Sequence, residues 1–209
     1  MSDLIIIGAG GFGLEVAAYA EDMTRAGKAA FTLKGFLDDT KPTSSRHASY
    51  PILGKIESAF DTNVAYVIAV GMPEGRKSIA GKLHAGGVRL ASIVHPQSYV
   101  AASAAIGPGS VVAPFAFVGA EATIGRHCVL NVHVCVGHES RVGDCCVLSP
   151  YANLQGGARL GDGVFLGSQA CITCVTIGDK ARIAAGAVVY NDVPSGTLAL
   201  GNPAAFAAA

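Results

Sequence analysis

The sequence is poor in charged residues and contains no tryptophan. Only 14% of its 209 residues are Asp, Glu, Lys or Arg, and the formal net charge is zero. Proteins that bind nucleic acid present a basic patch or stripe to the phosphate backbone, and so neutral a chain offers none. The composition therefore argues against a nucleic-acid partner.

Long apolar runs are also missing, although 51% of the residues are hydrophobic. The weakly charged stretch from Leu90 to Ala120 is interrupted by Pro96, Pro108 and Pro114. No run of about 18 apolar residues occurs, the length that a transmembrane helix needs, so we expect no membrane insertion. The first residues, MSDLIII, contain no basic segment of the signal-peptide type, and we expect a cytoplasmic protein.

Disulfides and metal sites are not expected either. The six cysteines all lie between positions 128 and 174, and a reducing cytoplasm keeps cysteines free. Cys171 and Cys174 have C-x-x-C spacing, but no second pair stands at the distance of a zinc site. The sequence therefore predicts no metal.

The first half of the chain alternates strands and helices. A glycine-rich segment, 8-GAGGFG-13, follows the first strand and fits G-x-G-x-x-G, whereas 51-PILG-54 is interpreted as a turn. Strands separated by helices indicate a parallel sheet, so we predict an α/β, Rossmann-like domain at 1–92. The predicted strands are 3–7, 31–38, 64–70 and 88–94, and the predicted helices are 12–25 and 74–86.

The second half repeats every six residues. Neither the helical period of 3.6 nor the strand period of 2 produces this pattern, but a hexapeptide repeat does. Three hexapeptides make one triangular turn of 18 residues, and successive turns stack at about 4.8 Å. We therefore predict a parallel β-helix at 93–209. The position that recurs every six residues is always Val, Ile or Leu. It is found at 94, 100, 106, 112, 118, 124, 130, 136, 142, 148, 154, 160, 166 and 172, then, after a slip of one residue, at 177, 183 and 189.

A second slot, four residues after each aliphatic position, holds small side chains with the exceptions Val134 and Val164. Cys128 and Cys146 occupy this slot, so we interpret them as small core residues rather than metal ligands. The predicted outer faces carry few charges, as in 110-SVVAPFAFVGA-120, and exposed apolar faces of this size indicate association between chains.

Taken together, these motifs resemble one family. They are 8-GAGGFG-13, 36-FLDD-39, 93-IVHP-96, the hexapeptides, 131-NVHVCVGHESRVGD-144 and 189-VYNDVPSGTLALGNPA-204. The chain is similar over nearly its whole length to the bacterial sugar acetyltransferases that include sialic acid O-acetyltransferases and nucleotide-4-amino-sugar N-acetyltransferases. The resemblance implies a left-handed β-helix, a homotrimer and acetyl-CoA as co-substrate, with no metal.

The resemblance also implies that the N-terminal domain binds a nucleotide-linked sugar rather than a redox cofactor. A glycine turn lets the backbone approach a pyrophosphate, and the following helix offers unpaired N–H groups and a positive dipole end. A turn with no ligand is the alternative. The residues expected to contact the nucleotide sugar are Gly8, Gly10, Gly11, Phe12, Gly13, Asp38 and Asp39.

Acetyl transfer needs a base for the nucleophile and a donor for the thioester oxyanion. The resemblance places the base at His138 and an orienting acid at Glu139, which requires a corner because neighbouring strand residues point to opposite faces. The spacing of 18 puts Gly156 directly over His138, so its N–H is a candidate oxyanion donor. By resemblance, Asn131 lies near the bound substrate or thioester. His127, in contrast, is expected to be solvated.

Three features depart from the family. Val147 replaces a histidine that faces the cofactor in many relatives, the coil at 172–177 is one residue short, and no basic residue follows 201-GNPA-204. The favoured function is N-acetylation of a nucleotide-linked amino sugar of the 4-amino-4,6-dideoxy type. O-acetylation of a sugar such as sialic acid and a non-catalytic sugar-nucleotide-binding scaffold remain alternatives.

Overall fold

The structure, a computed structural model, describes residues 2–29, 31–43, 45–56 and 60–208. Met1 and Ala209, the outer ends of the two predicted domains, lie outside these residues. The N-terminal half contains two helices and six strands. They are β1 Ser2–Ile7, α1 Gly11–Arg25, β2 Phe31–Leu37, β3 Arg46–His47, β4 Tyr50–Gly54, β5 Ala65–Ile68, α2 Pro73–Ala85 and β6 Arg89–Leu90.

These six strands form one sheet in the order β3-β4-β2-β1-β5-β6. All neighbours are parallel except β3 and β4, which form an antiparallel hairpin. The chain runs from β1 to β2 on one side and then to β5 on the other. The strand order therefore reverses at β1, and ligands of open α/β sheets bind in the crevice at such a point.

Two details of the predicted sheet are wrong. The segment 51–54 is part of β4, because Ile52 pairs with Phe36 of β2 and is buried in the core. The expected strand 88–94 is divided between two sheets. Arg89–Leu90 pairs with β5, whereas the chain leaves that sheet at Ala91 and enters the next one at Ile93. Short edge strands depend on pairing with distant segments, which a local pattern does not report.

The C-terminal half is a parallel β-helix with three faces. Face 1 contains β7 Ile93–Val94, β10 Val111–Val112, β13 Val129–Leu130, β16 Val147–Leu148, β19 Phe165–Leu166, β22 Arg182–Ile183, β24 Thr197–Leu200 and β25 Ala205–Ala208. Face 2 contains β8 Tyr99–Val100, β11 Phe117–Val118, β14 Cys135–Val136, β17 Asn153–Leu154, β20 Cys171–Ile172 and β23 Val188–Val189. Face 3 contains β9 Ala105–Ile106, β12 Thr123–Ile124, β15 Arg141–Val142, β18 Arg159–Leu160 and β21 Thr176–Ile177.

The predicted spacing of 18 residues per turn is confirmed by the strand register. Val111 pairs with Val129, which in turn pairs with Val147. The slip is confirmed too, since Arg159 pairs with Thr176, only 17 residues later. Each two-residue strand turns its second side chain inward, and these aliphatic columns form the buried core.

The small slot is also buried. Cys128 and Cys146 are fully enclosed in the core, and so are the two larger exceptions, Val134 and Val164. All six cysteines are free. Cys128 and Cys146 therefore fill space at the corners of the β-helix, as the repeat predicts.

Face 1 packs against the N-terminal half. The outward side chains Ile93 and Val111 join Val16 and Ala20 of α1 in one buried cluster. A buried arginine, Arg76 of α2, adds a polar link between the halves. Its guanidinium donates to main-chain oxygens of β5, of the segment after it and of the β-helix. No helix in the described part of the chain is long and apolar enough to cross a membrane.

Candidate active site

His138 and Glu139 lie at the corner between faces 2 and 3. Glu139 has a φ of 58°, in the left-handed region, which turns its side chain to the same side as the imidazole. His138 Nδ1 lies 2.9 Å from Glu139 Oε2. The corner that the sequence argument required is therefore present, and both side chains are exposed, at 69% and 66%.

This contact assigns the tautomer of His138. An ionised carboxylate only accepts hydrogen bonds, so Nδ1 carries the hydrogen and donates it to Glu139. Nε2 then keeps a free lone pair, and among the described residues it has no hydrogen-bond partner. The arrangement leaves Nε2 able to accept a proton from a molecule bound at this exposed corner.

Gly156 lies against this imidazole, one turn along the β-helix. A Cβ built on Gly156 would come within 2.5 Å of His138 Cε1, and closer still to Nε2. The next residue, Gly157, donates its N–H to His138 O at 2.9 Å. The predicted juxtaposition of His138 and Gly156 is thus seen in the structure, and a Cβ at position 156 would require the ring to move from this position.

The Gly156 N–H has no acceptor within the described chain. The corner between faces 3 and 1 shows how such an N–H is otherwise satisfied. There Asp144 accepts the N–H of Arg126, Asp162 that of Asp144, and Asp179 that of Asp162, at 2.7–2.9 Å. In the His138 column the residue one turn beyond Gly156 is Cys174, whose side chain does not accept the Gly156 N–H, so this N–H is left for a ligand.

Asn131 and Val147 are not part of this corner. Asn131 lies one corner earlier, at the other end of β14, and its Oδ1 accepts the N–H of Val132 at 2.9 Å. The structure shows no hydrogen bond between Asn131 and His138. Val147 is buried on face 1.

The glycine segment forms a tight turn between β1 and α1. Gly8 has a φ of 107°, and a Cβ there would come 2.6 Å from Ala69 O; a Cβ on Gly13 would overlap Gly8 O. These two glycines allow close packing. Gly10 and Gly11 are exposed and face open space. Half-buried Phe12 packs against the core.

Helix α1 begins at Gly11 without a side-chain cap and without an acidic residue in its first turn. Its first N–H groups are therefore unshielded and carry the positive end of the helix dipole. The turn lies at the crevice where the strand order reverses. Chemically, this end of the sheet can accept a phosphate group.

Asp38 is used to position this loop. Its Oδ2 accepts the N–H of Ala9 at 2.7 Å, and its Oδ1 accepts hydrogen bonds from Thr40 and Lys41. Burial alone would raise the pKa of Asp38, but these hydrogen bonds together lower it below its ordinary value. Asp39 is exposed, and its Oδ1 accepts the N–H of Ile56 at 2.8 Å.

His47 lies beside the glycine turn, a place that the sequence does not predict. This residue lies on β3, stacks edge-on against Phe36, and has its Nε2 3.1 Å from Gly10 O. The contact depends on the β3–β4 hairpin, whose second strand includes the segment 51–54 that the sequence pattern predicts to be a turn. No signal in the sequence alone connects His47 to the glycine turn.

The expectation for His127 is wrong. Its side chain is buried, and its main-chain oxygen accepts a hydrogen bond from Arg76 Nε at 2.7 Å. Burial first, and then the charge of Arg76, lower its pKa to about 4. Its position in the hexapeptide is that of an exposed corner residue, so only the docking of α2 onto this corner explains the burial.

No group of three or more His, Cys, Asp or Glu side chains in the described ranges is arranged to bind a metal ion. The polar groups at the His138 corner are one imidazole, one carboxylate and main-chain N–H groups. Such a set suits proton transfer and the binding of a developing oxyanion.

Comparisons with known proteins agree with this architecture. The family described as the PglD N-terminal domain matches residues 3–83, and the family described as the hexapeptide repeat of succinyl-transferase matches residues 157–191. Among curated proteins, the sequence comparison gave no significant match.

Several solved structures are similar over the whole chain. The acetyltransferase domain of PglB from Neisseria gonorrhoeae is 32% identical, with a TM-score of 0.88 over 98% of this chain and 99% of that one. A histidine-to-asparagine mutant of perosamine N-acetyltransferase from Caulobacter crescentus, in complex with CoA and GDP-perosamine, is 27% identical, with a TM-score of 0.89 over 100% and 98%. WeeI from Acinetobacter baumannii is 27% identical, with a TM-score of 0.87 over 99% and 100%.

Proposed function

Because the chain belongs to the family of bacterial hexapeptide-repeat sugar acetyltransferases, we propose that it transfers the acetyl group of acetyl-CoA to the amino group of a nucleotide-linked sugar of the 4-amino-4,6-dideoxy type. A full-length similarity to an enzyme crystallised with CoA and GDP-perosamine supports this substrate class. The observation that carries the proposal is the free Nε2 of His138 beside the free N–H of Gly156.

The roles follow from this geometry. The substrate amine attacks the thioester carbonyl, and His138 Nε2 takes the proton that the nitrogen loses. The oxyanion of the tetrahedral intermediate accepts the Gly156 N–H. When the intermediate collapses, the C–S bond breaks and the imidazolium returns the proton to the sulfur of CoA. Glu139 holds the Nδ1–H and stabilises the positive charge of the imidazolium.

The N-terminal domain, 1–92, is proposed to bind the nucleotide sugar, and 93–209 to carry out acetyl transfer. The pyrophosphate lies at Gly10, Gly11 and Phe12 at the start of α1, where the N–H groups are unshielded. Gly8 and Gly13 shape the turn, Asp38 holds it, and Asp39 faces the ribose or base. Asn131 contacts the acetyl-CoA arm. Since acetyl-CoA and nucleotide sugars are cytoplasmic metabolites, we expect the protein there.

A homotrimer is proposed from an exposed aromatic surface on face 2 and on its corner with face 1. Tyr99 and Phe117 stack with centroids 5.1 Å apart, and His133 stacks between Phe115 and Tyr151 at 5.1 and 4.6 Å. All five side chains are exposed in the single chain. Surfaces of this kind are buried by association, and cyclic assembly of parallel β-helices would cover it.

The test of the reaction is thiol release from acetyl-CoA across a panel of nucleotide-linked amino sugars and hydroxyl sugars. The wild-type protein should release CoA with an amino sugar, and His138→Ala should lower kcat by about 10²-fold or more. His84→Ala, which removes an exposed histidine of α2, is the matched control. A His138→Ala variant with near wild-type kcat at saturating substrate refutes the base, and release with hydroxyl sugars alone refutes N-acetylation.

A further inference from the structure

Face 3 carries a polar stripe immediately beside the catalytic corner. Its outward side chains, in order along the stack, are Thr123, Arg141, Arg159 and Thr176, and all are exposed. Arg141 and Arg159 are register partners in neighbouring parallel strands. Their backbones are therefore separated by about 4.8 Å, the spacing of paired strands.

The two arginines have no partner within the described residues. Other arginines of the β-helix do have one, since Arg126 pairs with Asp144 and Arg182 lies over the Phe165 ring. Like charges side by side on a sheet destabilise it. Two neighbouring arginines without acidic partners, in a chain so poor in charge, suit an anionic ligand.

The position of the stripe points to a substrate group. Arg141 follows His138 by three residues, so the two Cα atoms lie within about 11 Å. Arg159 follows Gly156 by the same interval. The carboxylate of Glu139, the acidic residue at this corner, is already hydrogen-bonded to His138 Nδ1. The guanidinium groups and the threonine hydroxyls therefore form a row of donors that runs beside the proposed site of acetyl transfer.

We propose that Arg141 and Arg159 bind a phosphate group of one of the two substrates of this site. Guanidinium groups form two parallel hydrogen bonds to phosphate, and two of them stacked at strand spacing can contact one phosphate from two sides or two linked phosphates. The inference rests on the proposed function, because both proposed substrates contain a diphosphate. In the nucleotide sugar the diphosphate is next to the sugar. In CoA the diphosphate lies beyond the pantetheine arm, and CoA also has a 3′-phosphate.

Direct binding tests the proposal without any turnover. The affinities of CoA, dephospho-CoA, GDP and UDP are measured by calorimetry for the wild type, for Arg141→Gln with Arg159→Gln, and for Arg89→Gln. Arg89 is an exposed arginine of β6 without a partner in the described part of the chain. The double variant should bind at least one probe about tenfold more weakly or worse, and Arg89→Gln should not.

The probes identify the source of the phosphate. Weaker binding of CoA but not of dephospho-CoA indicates the 3′-phosphate, and equal weakening of both indicates the CoA diphosphate. Weaker binding of GDP or UDP indicates the acceptor diphosphate and would contradict its proposed place at the start of α1. Lysine at both positions should restore part of the affinity. Unchanged affinity for all four probes, or no binding of any by the wild type, overturns the proposal. The proposed reaction fails separately, if probes bind and no sugar is acetylated.

Discussion

Replacing Gly156 by alanine should inactivate the protein without unfolding it. The added methyl group would lie within 2.5 Å of His138 Cε1 and closer still to Nε2, so the imidazole must move. Moving it breaks the 2.9 Å contact between Nδ1 and Glu139. The main chain of Gly156 is not in the left-handed region, so alanine is allowed there.

The magnitude follows from the group that is displaced. A positioned general base contributes about 10²–10⁴-fold to a rate, so kcat should fall by about 100-fold or more. The KM for acetyl-CoA should change by less than about threefold, because the methyl group displaces the base and leaves the rest of the surface in place. The free energy of unfolding should change by at most about 1 kcal/mol, as is usual for glycine-to-alanine changes in an allowed conformation.

The assay is a double-mutant cycle. kcat is measured by thiol release for the wild type, Gly156→Ala, His138→Ala and the double variant. If the alanine acts through the imidazole, it should cost little once His138 is already absent, and the two losses should be far from additive. A Gly156→Ala variant that keeps kcat within about threefold of wild type, or fully additive losses, would refute this reasoning.

Three further outcomes are expected. The unfolded chain takes up a proton at His127 near pH 6.5 but the folded chain only near pH 4, so this group should lower the free energy of unfolding by about 2 kcal/mol between pH 7 and pH 5. In urea denaturation, the free energy of unfolding should depend less on pH for His127→Asn than for the wild type. An equal pH dependence contradicts the lowered pKa of His127. Asp38→Asn loses the carboxylate that accepts the Ala9 N–H. This change should lower the free energy of unfolding by about 2 kcal/mol and weaken the binding of the nucleotide sugar, measured by calorimetry. An unchanged affinity would argue against the role of Asp38 in positioning the glycine loop. Phe117→Glu should reduce the mass seen by light scattering to that of a monomer, whereas Phe206→Glu, at another exposed site, should not; a trimer that survives the first change excludes this interface.

The hexapeptide period by itself determined the β-helix. Because each turn pairs only with the turns before and after it, the spacing of 18 residues also fixed which residues are neighbours. His138 and Gly156 could be placed together from the sequence for this reason, and so could the buried positions of Cys128 and Cys146. The strand–helix alternation determined the parallel sheet in the same way.

Only the tertiary structure decided the features that depend on distant segments. Strand β4 exists because Ile52 pairs with Phe36, and the hairpin it forms brings His47 to the glycine turn. His127 is buried because α2 docks on its corner. No local period encodes these contacts, since their free energy comes from pairing and burial between elements far apart in the chain.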